Sequence, residues 1–301
     1  MNRITESDRY FPILLSYRGL RNNPYFLSGC MKMYQVDAFT DEPFSGNPAA
    51  VCVTERALSD DVMLKLAIEN NLSETAFAVG SDGEYKLRWF TPGGEIDLCG
   101  HATLATGFVI LNHIEPGASQ VRFDTASGQL TVTKDGDMYY MDFPLIATEP
   151  MEVTDDYPDA IGCEVKEAAI GYRDPILLLG SADDVIGLEP DLGKVKNLEK
   201  GLGLFVTAPG YDGFDFVSRS FWPKLKVDED PVCSSMHCSL VDFWSKKLGK
   251  NRMVARQVSA RGGTVSVEIV GDRVKLGGKA VLFATFDIND SIVYRDEGFI
   301  L

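Results

Sequence analysis

The chain has 301 residues, of which 45% are hydrophobic, and its formal net charge is −15 at pH 7. A chain of this length can bury one large or two ordinary cores. Its acidity argues against a nucleic-acid partner, because phosphates attract clustered Lys and Arg. No apolar run approaches the roughly 20 residues of a membrane-spanning helix, so a membrane is not expected as a partner either.

Cysteine and histidine usage narrows the compartment and the chemistry. The six cysteines lack the paired short spacings of a zinc site or a disulfide framework. A reducing compartment, the cytoplasm, is therefore expected. Three histidines are too few for a His-rich metal site, and the sequence has no phosphate-binding loop or dinucleotide-binding glycine motif. The sequence predicts no metal.

The first 30 residues differ in character from the rest of the chain. Their apolar run, FPILL, is too short for a secretory signal, and acidic residues precede it. We expect a poorly ordered extension over residues 1–30. The alternatives are an organellar leader, an ordered extension and sequence upstream of a native start at Met31.

The segment 31–53 begins with alternation, Met33, Gln35 and Asp37 against Tyr34, Val36 and Ala38, which is typical of a half-buried strand. The turn residues SGNP then lead to a second apolar run, AAVCV, so a hairpin is predicted. Ser59 is a suitable N-cap for a helix over residues 60–71. Asp60 and Asp61 in the first turn complement the dipole of that helix.

A long stretch of the chain occurs twice. Its first copy is DLCGHATLATGFVILNH (97–113) and its second is EDPVCSSMHCSLVDFWSKKLG (229–249). In each copy an acidic residue and a Cys precede an apolar helix. Upstream, YKLRWFTP (85–92) matches FVSRSFWP (216–223), and the same 29 residues separate each Cys from a later Gly turn (128 − 99 and 262 − 233). Two halves with one strand, turn, helix and strand plan are predicted.

The repeat also predicts the domain organisation. Many strands and one nearly all-apolar helix in each half indicate a sheet wrapped around a central helix. The predicted division is an extension over residues 1–30, an N-terminal domain over residues 31–128 and a C-terminal domain over residues 129–301.

Two residues of the first half are candidates for proton transfer. Glu74 lies in NLSETAF, at the lip of an apolar strand, where desolvation raises the pKa of a carboxyl group and suits it to moving protons on carbon. His101 lies in the first helical turn, where free backbone N–H groups disfavour imidazolium, so a neutral ring could pass a proton. The alternatives are an exposed residue at a strand start and a His that packs at a domain edge.

The second half offers residues at the corresponding turn. Asp230, which Pro231 biases to an extended conformation, and Ser235 flank the start of the second helix. The alternative role of Asp230 is stabilisation of the helix N-terminus. If the halves face each other across a cleft, two helix N-termini converge and can bind a carboxylate-bearing ligand without a metal.

Cys99 and Cys233 occupy equivalent places at the two predicted helix N-termini. Helix N-termini lower the pKa of a thiol, so two facing thiols could serve as the opposed bases of a racemase or epimerase. The alternative is that each is a small buried core residue.

Together these motifs resemble the PhzF-like family of phenazine biosynthesis proteins. They are, in family order, SGNPAAVC, ENNLSETAF, LRWFTP, DLCGHATLA, EDPV followed by x-S-S-x-H, and ARQxSARGG. The resemblance implies an α/β fold of the diaminopimelate epimerase type. Such a fold has two pseudo-symmetric domains, each a rolled mixed β-sheet around a central helix, and an active site in the cleft between them. A homodimer and catalysis without a cofactor are also implied.

The family's type member isomerises trans-2,3-dihydro-3-hydroxyanthranilate by moving a proton between ring carbons. By resemblance, Glu74 is the base and then the acid, while His101 and Asp230 shape substrate and proton traffic. The implied substrate-binding residues are Ser235, Gly100 and Ser234.

One departure from the family pattern bears on this assignment. The family usually reads Thr-Gly-Ser after EDPV, whereas this chain reads Cys233, Ser234 and Ser235. Ser in place of Gly narrows the turn where ligand and backbone approach. Cys233 brings the chain nearer to diaminopimelate epimerase, whose thiols fall here and at Cys99, but His101 replaces the Asn of that enzyme's CGN motif.

The leading prediction is a cofactor-independent isomerase that moves a proton between carbons of a small carboxylate-bearing substrate. One alternative is an amino-acid epimerase or racemase that uses Cys99 and Cys233. Another is a non-catalytic small-ligand-binding or interaction protein of the same fold. The intact set Glu74, His101 and Asp230 argues against the last.

Overall fold

The structure, a computed structural model, describes residues 30–289. The predicted extension lies outside the described residues except for Cys30, where the first strand begins. Residues 290–301 also lie outside them.

Eight strands and two helices come first in the described chain. The strands are β1 (Cys30–Ala38), β2 (Asn47–Thr54), β3 (Glu74–Ser81), β4 (Glu84–Thr91), β5 (Gly94–Ile96), β6 (Gln120–Thr125), β7 (Gly128–Asp135) and β8 (Met138–Pro144). The helices are α1 (Asp60–Asn70) and α2 (Gly100–Val109), and α2 continues as a π-helical turn over Ile110–Ile114.

Nine strands and four helices make up the rest of the described chain. The strands are β9 (Thr148–Met151), β10 (Glu167–Gly171), β11 (Asp174–Leu178), β12 (Leu204–Pro209), β13 (Phe216–Phe221), β14 (Arg252–Gln257), β15 (Gly263–Val270), β16 (Arg273–Gly278) and β17 (Ala280–Asn289). The helices are α3 (Asp156–Ile161), α4 (Ala182–Ile186), α5 (Leu192–Asn197) and α6 (Ser234–Leu248), with a 3₁₀ turn over Pro223–Leu225.

The two halves repeat one strand order. Around α2 the order is β17-β1-β2-β3-β4-β6-β7-β8. Around α6 it is β9-β10-β11-β12-β13-β14-β15-β16. Parallel and antiparallel pairs alternate identically in both, and β8 pairs with β16 to join them. The predicted fold, two pseudo-symmetric mixed sheets each around a central helix, is confirmed.

The two halves exchange one strand each along the chain: β9 follows the strands around α2 but joins the sheet around α6, and β17 follows the strands around α6 but joins the sheet around α2. β9 comes after β8 but pairs with β10, and β17 comes after β16 but pairs with β1. β7 and β8, which lie after residue 127, pair within the sheet around α2. The domain boundary between residues 128 and 129 stays a prediction, since the strand ladder runs through that point without a break.

The helix starts and ends are set by local chemistry. Ser59 accepts a hydrogen bond from the backbone N–H of Val62 and caps α1, as predicted. α6 ends at Gly249, whose φ of 67° is a left-handed conformation that costs glycine little. Among the described residues, neither α2 nor any other helix has the length and apolar composition needed to cross a membrane.

Both central helices are buried nearly all round, as their sequences predict. Residues 101–107 of α2 and residues 236–244 of α6 are all buried. Equivalent side chains also make equivalent contacts: Thr103 Oγ1 donates to the carbonyl oxygen of Cys99, and His237 Nδ1 contacts the carbonyl oxygen of Cys233 at 2.7 Å. The internal repeat is therefore structural as well as sequential.

Candidate active site

A cavity of about 190 Å³ lies where the N-termini of α2 and α6 meet. All the candidate residues predicted from the sequence line it: Glu74, Cys99, Gly100, His101, Asp230, Cys233, Ser234 and Ser235. The rest of the wall is formed by Leu98, Phe143, Pro144, Ile146 and Cys238. The two halves thus contribute jointly to one site.

Glu74 and His101 form a buried acid–base pair. Glu74 is the first residue of β3 and His101 lies in the first turn of α2. Glu74 Oε2 is 3.1 Å from His101 Nε2, and the two side chains are only 15% and 7% exposed. Neither atom has another hydrogen-bond partner among the described residues. A proton can therefore pass between carboxylate and imidazole without passing through bulk water.

The pKa of His101 reflects competing effects. Burial lowers the pKa of the ring, but Cys99 and Glu74 raise it, and the net direction is upward. Burial raises the pKa of Cys99 itself, so its thiol keeps its proton at neutral pH. The sequence predicts a neutral ring from the helix N-terminus alone, and the carboxylate opposes that effect.

Asp230 is held in the loop before α6, facing the first half of the chain. Its backbone N–H donates to the carbonyl oxygen of Ser220 (3.1 Å), and its Oδ1 accepts from the N–H of Val232 (3.2 Å) and from Asn47 Nδ2 (2.8 Å). Burial raises the pKa of Asp230, with His101 opposing the shift. Asp230 therefore belongs to the cavity and is more than a helix-end residue.

The two thiols sit at the helix N-caps, as predicted, but their pKa values move the other way. Neither Cys99 nor Cys233 makes a side-chain capping bond. Burial raises the pKa of both thiols, and Asp230 adds to the shift at Cys233. The sequence predicts that the helix N-termini lower the pKa of the two thiols, but the effect of burial is larger and in the opposite direction.

Gly100 and Ser234 are the point where the two helices touch. A Cβ built on Gly100 would collide with the Cβ and Oγ of Ser234. Ser234 is buried, and its Oγ has no hydrogen-bond partner among the described residues. Ser234, which replaces the Gly of the family pattern, thus narrows the site. Its side chain leaves no room for a Cβ at position 100 of the facing helix, where the chain has Gly100. Ser235 is exposed at the mouth, with its Oγ 3.4 Å from Cys233 Sγ.

Replacing Gly100 by Ala should lower the free energy of unfolding by about 1–3 kcal/mol, because the added methyl group collides with Ser234. The double variant Gly100→Ala/Ser234→Gly should recover much of that loss, since it removes the opposing side chain. Denaturant unfolding of the wild type, both single variants and the double variant measures the coupling. Strictly additive losses would contradict the contact.

Two polar residues of the site are not predicted from the sequence, although both lie inside the family motifs. Asn47, fully buried at the start of β2, contacts His101 and Asp230. Gln257, also fully buried, donates to the carbonyl oxygen of Asp230 (2.5 Å) and accepts from the N–H of Cys233 (2.9 Å). Asn47 is the first residue of β2 and Gln257 is the last of β14, so each looks like an ordinary polar residue at a strand end, and only the contacts that bury them show their role.

A family profile described as phenazine biosynthesis-like protein matches residues 36–285. This chain belongs to the phenazine biosynthesis-like family. The resemblance predicted from the motifs is therefore confirmed, and it extends over most of the chain.

Relatives from distant organisms share nearly the whole length. An uncharacterized isomerase of Pseudomonas aeruginosa is 46% identical over 254 residues, covering 84% of this chain and 96% of that protein. The human phenazine biosynthesis-like domain-containing protein is 39% identical over 279 residues, covering 84% and 97%. The predicted enzyme class, isomerase, is confirmed at this level.

Solved structures agree on the fold. The PhzF family phenazine biosynthesis protein of Enterococcus faecalis superposes with a TM-score of 0.83 at 47% identity, covering 86% of this chain and 98% of that one. A hydroxyproline epimerase of Agrobacterium vitis superposes at 0.52 with 11% identity, covering 87% and 93%. The second likeness concerns the fold alone.

In this member of the phenazine biosynthesis-like family, Glu74, Cys99 and His101 offer three possible metal ligand atoms within 4.8 Å of one another. Their arrangement does not suit one ion. Glu74 faces Nε2 of the ring, whereas Cys99 Sγ lies 3.5 Å from Nδ1 on the other side. An ion bound by one ring nitrogen would meet only one of the two other ligands, so the trio fits a proton-transfer role better.

Proposed function

We propose that this protein is a cofactor-independent isomerase that moves a proton between two carbons of a small carboxylate-bearing substrate. The observation that carries the proposal is the buried Glu74–His101 pair, which opens into a cavity between two helix N-termini. Such a pair supplies a base and a returning acid in a site that is sheltered from water.

The proposed reaction needs no redox partner. The Glu74 carboxylate takes a proton from a substrate carbon: the C–H bond breaks, an O–H bond forms, and the electron pair is delocalised into the substrate. The O–H bond of Glu74 then breaks as a C–H bond forms at a second carbon. His101 contacts the same carboxylate and stabilises its ionised form before the first step and again after the second, when the proton has left Glu74.

The substrate's carboxylate is expected at the helix N-termini. Because Cys99 and Cys233 make no side-chain capping bonds, first-turn N–H groups of both helices are available to an anion. Binding to Gly100, Ser234 and Ser235 would orient the substrate with its reacting carbons toward Glu74. This polar attraction is needed because the protein as a whole carries a charge of −15.

The cavity limits the substrate to a small molecule. An engineered cavity of about 150 Å³ holds one benzene molecule, so about 190 Å³ suits a single substituted ring or a short amino acid. Leu98, Phe143 and Ile146 supply apolar wall for the ring or chain. Ser234 Oγ, which has no partner among the described residues, would meet a polar substituent.

The two-thiol epimerase is the second candidate, because Cys99 and Cys233 occupy equivalent positions. The other site residues break that symmetry. Phe90 and Phe221 are equivalent positions of the repeat, and they pair with Thr75 and Leu204 respectively. Thr75 is therefore equivalent to Leu204, and Glu74, one residue earlier, is equivalent to Gly203. An acid–base pair present in only one half favours a single-carboxylate mechanism over two opposed thiols.

Solvent deuterium incorporation tests the proposal. The wild-type protein in heavy water would be given dihydrohydroxyanthranilate, diaminopimelate and a panel of small amino and hydroxy acids, with proton NMR as readout. We expect loss of one substrate C–H signal together with a shifted double bond or an inverted centre. Binding of these compounds without exchange at any carbon would favour the non-catalytic alternative.

A further inference from the structure

We propose that Asn47 is a positioning residue that fixes which nitrogen of His101 carries the proton. The importance of Asn47 for catalysis rests on the proposed function. Its effect on the protonation of the His101 ring is independent of that function. Asn47 lies outside the acid–base set and reaches it from the start of β2.

The amino group of Asn47 meets three acceptors. Nδ2 lies 2.8 Å from Asp230 Oδ1, 3.1 Å from the carbonyl oxygen of Val232 and 3.2 Å from His101 Nδ1. Asn47 is fully buried, and its Oδ1 has no hydrogen-bond partner among the described residues. Its amide is therefore the polar bridge between the two halves at this point.

The surroundings decide the orientation of this amide. A 180° flip of the side-chain amide would place Oδ1 next to the oxygens of Val232 and Asp230. These atoms are all hydrogen-bond acceptors, and at this buried position water cannot relieve their repulsion. The amino group must therefore face them, and it then also faces His101. Two amide hydrogens are shared among the three acceptors.

An amino group at Nδ1 requires that nitrogen to be the acceptor of the ring. The ring proton then resides on Nε2, 3.1 Å from Glu74 Oε2. A second proton on Nδ1 would meet the Asn47 donor, and the Cys99 thiol 3.5 Å away is a further weak donor on that side. Asn47 and Glu74 thus act on the ring in opposite directions, one from each nitrogen.

This arrangement gives the ring a defined task. With its proton on Nε2, His101 donates to the carboxylate that takes the substrate proton, and it does so in one orientation. Asp230 also contributes, because it accepts from the same amino group and so holds Asn47 in place. The second half of the chain thereby controls the tautomer of a His in the first half.

Nitrogen-15 NMR of the full chain with labelled histidine tests the inference. The sequence has only three His, and His101→Gln identifies the wanted signals by their loss, with His113→Gln as the control. Because the pKa of His101 is raised, the spectra are recorded over a pH series, and the tautomer is determined at a pH above that pKa, where the ring is neutral. There we expect Nδ1 of His101 to resonate as an unprotonated nitrogen and Nε2 as a protonated one. A neutral wild-type ring with its proton on Nδ1 would overturn the proposal.

Asn47→Asp replaces the donor by an acceptor and should draw a proton to Nδ1 of His101. Asn112→Asp is the matched control, since the Asn112 amide bonds Phe108 and Tyr139 away from the cavity. An unchanged His101 spectrum in folded Asn47→Asp would also refute the proposal.

Because no substrate is used, a failed deuterium experiment and a failed NMR experiment are distinguishable. Where exchange is measurable, Asn47→Asp should slow it roughly 10²-fold.

Discussion

Glu74→Gln is expected to abolish proton exchange on carbon, with a loss of roughly 10²–10⁴-fold in rate. The amide keeps the shape of the carboxyl group but cannot accept a proton from carbon. Glu74 is largely buried and lines the cavity, so it is the carboxylate positioned to act on a substrate bound there. The measurement is deuterium incorporation into whichever compound the wild type exchanges, together with thermal unfolding to show that the fold persists.

Two comparisons give this experiment its meaning. Glu55→Gln, at an exposed position, makes the same chemical change outside the cavity and should leave exchange intact. Cys99→Ala and Cys233→Ala separate the leading proposal from the alternative. Exchange that needs both thiols and tolerates loss of Glu74 would transfer the assignment to the two-thiol epimerase.

The secondary structure near the site is largely readable from the sequence because its signals are local. Ser59 before two Asp residues marks the start of α1, and two Lys before Gly249 mark the end of α6. The internal repeat is equally visible, because both copies must supply a small-residue helix that a sheet can wrap. These features depend on neighbours in sequence or on spacing.

What the sequence does not reveal is the set of contacts made between the halves. Asn47 meets Asp230 across 183 positions, and no local pattern encodes that distance. The same holds for β17, whose strand-like pattern gives no sign that it returns to β1. The thiols show a different limit, because burial by distant elements reverses the pKa shift that their helix positions predict.

The repeat explains why the site exists, and divergence between its copies explains what the site does. Pseudo-symmetry brings two helix N-termini together, which creates an anion-binding point. At the positions after the caps, His101 in one half corresponds to Ser235 in the other. One half therefore carries the proton chemistry, and the other contributes Asp230 and the hydroxyl groups.

Arg261→Ala should lower the free energy of unfolding by about 2–3 kcal/mol, because it unpairs a buried carboxylate. Arg261 Nη2 is 2.8 Å from Asp37 Oδ1 and 2.9 Å from the carbonyl oxygen of Ser45, and Nε donates to the carbonyl oxygen of Gly46. Asp37 is only 2% exposed, whereas Arg261 is 33% exposed, which places the effect below that of a fully buried pair. Urea unfolding at neutral pH measures it.

The matched control is Arg122→Ala, which removes an ion pair to Glu84 on the exposed surface. Pairs of that kind contribute about 0–1 kcal/mol. If Arg261→Ala cost no more than this control, the contact between Arg261 and the loop before Asn47 would not stabilise the fold. Loss of that contact should also disturb His101, since the loop leads directly to Asn47.

The cost of Arg261→Ala should depend on pH in a defined direction. Burial raises the pKa of Asp37. The hydrogen bond from the backbone N–H of Phe44 and the charge of the Arg261 side chain oppose this rise. A folded-state pKa above the unfolded value means that the folded protein holds the proton more tightly, so stability is lost as pH rises and Asp37 ionises. Removing Arg261 raises that pKa further. The difference in free energy of unfolding between variant and wild type should therefore shrink as pH falls, because Asp37 becomes protonated in both. What remains at acid pH is the cost of the unpaired carbonyl groups of Ser45 and Gly46. A difference that stays constant or grows toward acid pH would show that the Asp37 charge is not the source of the loss.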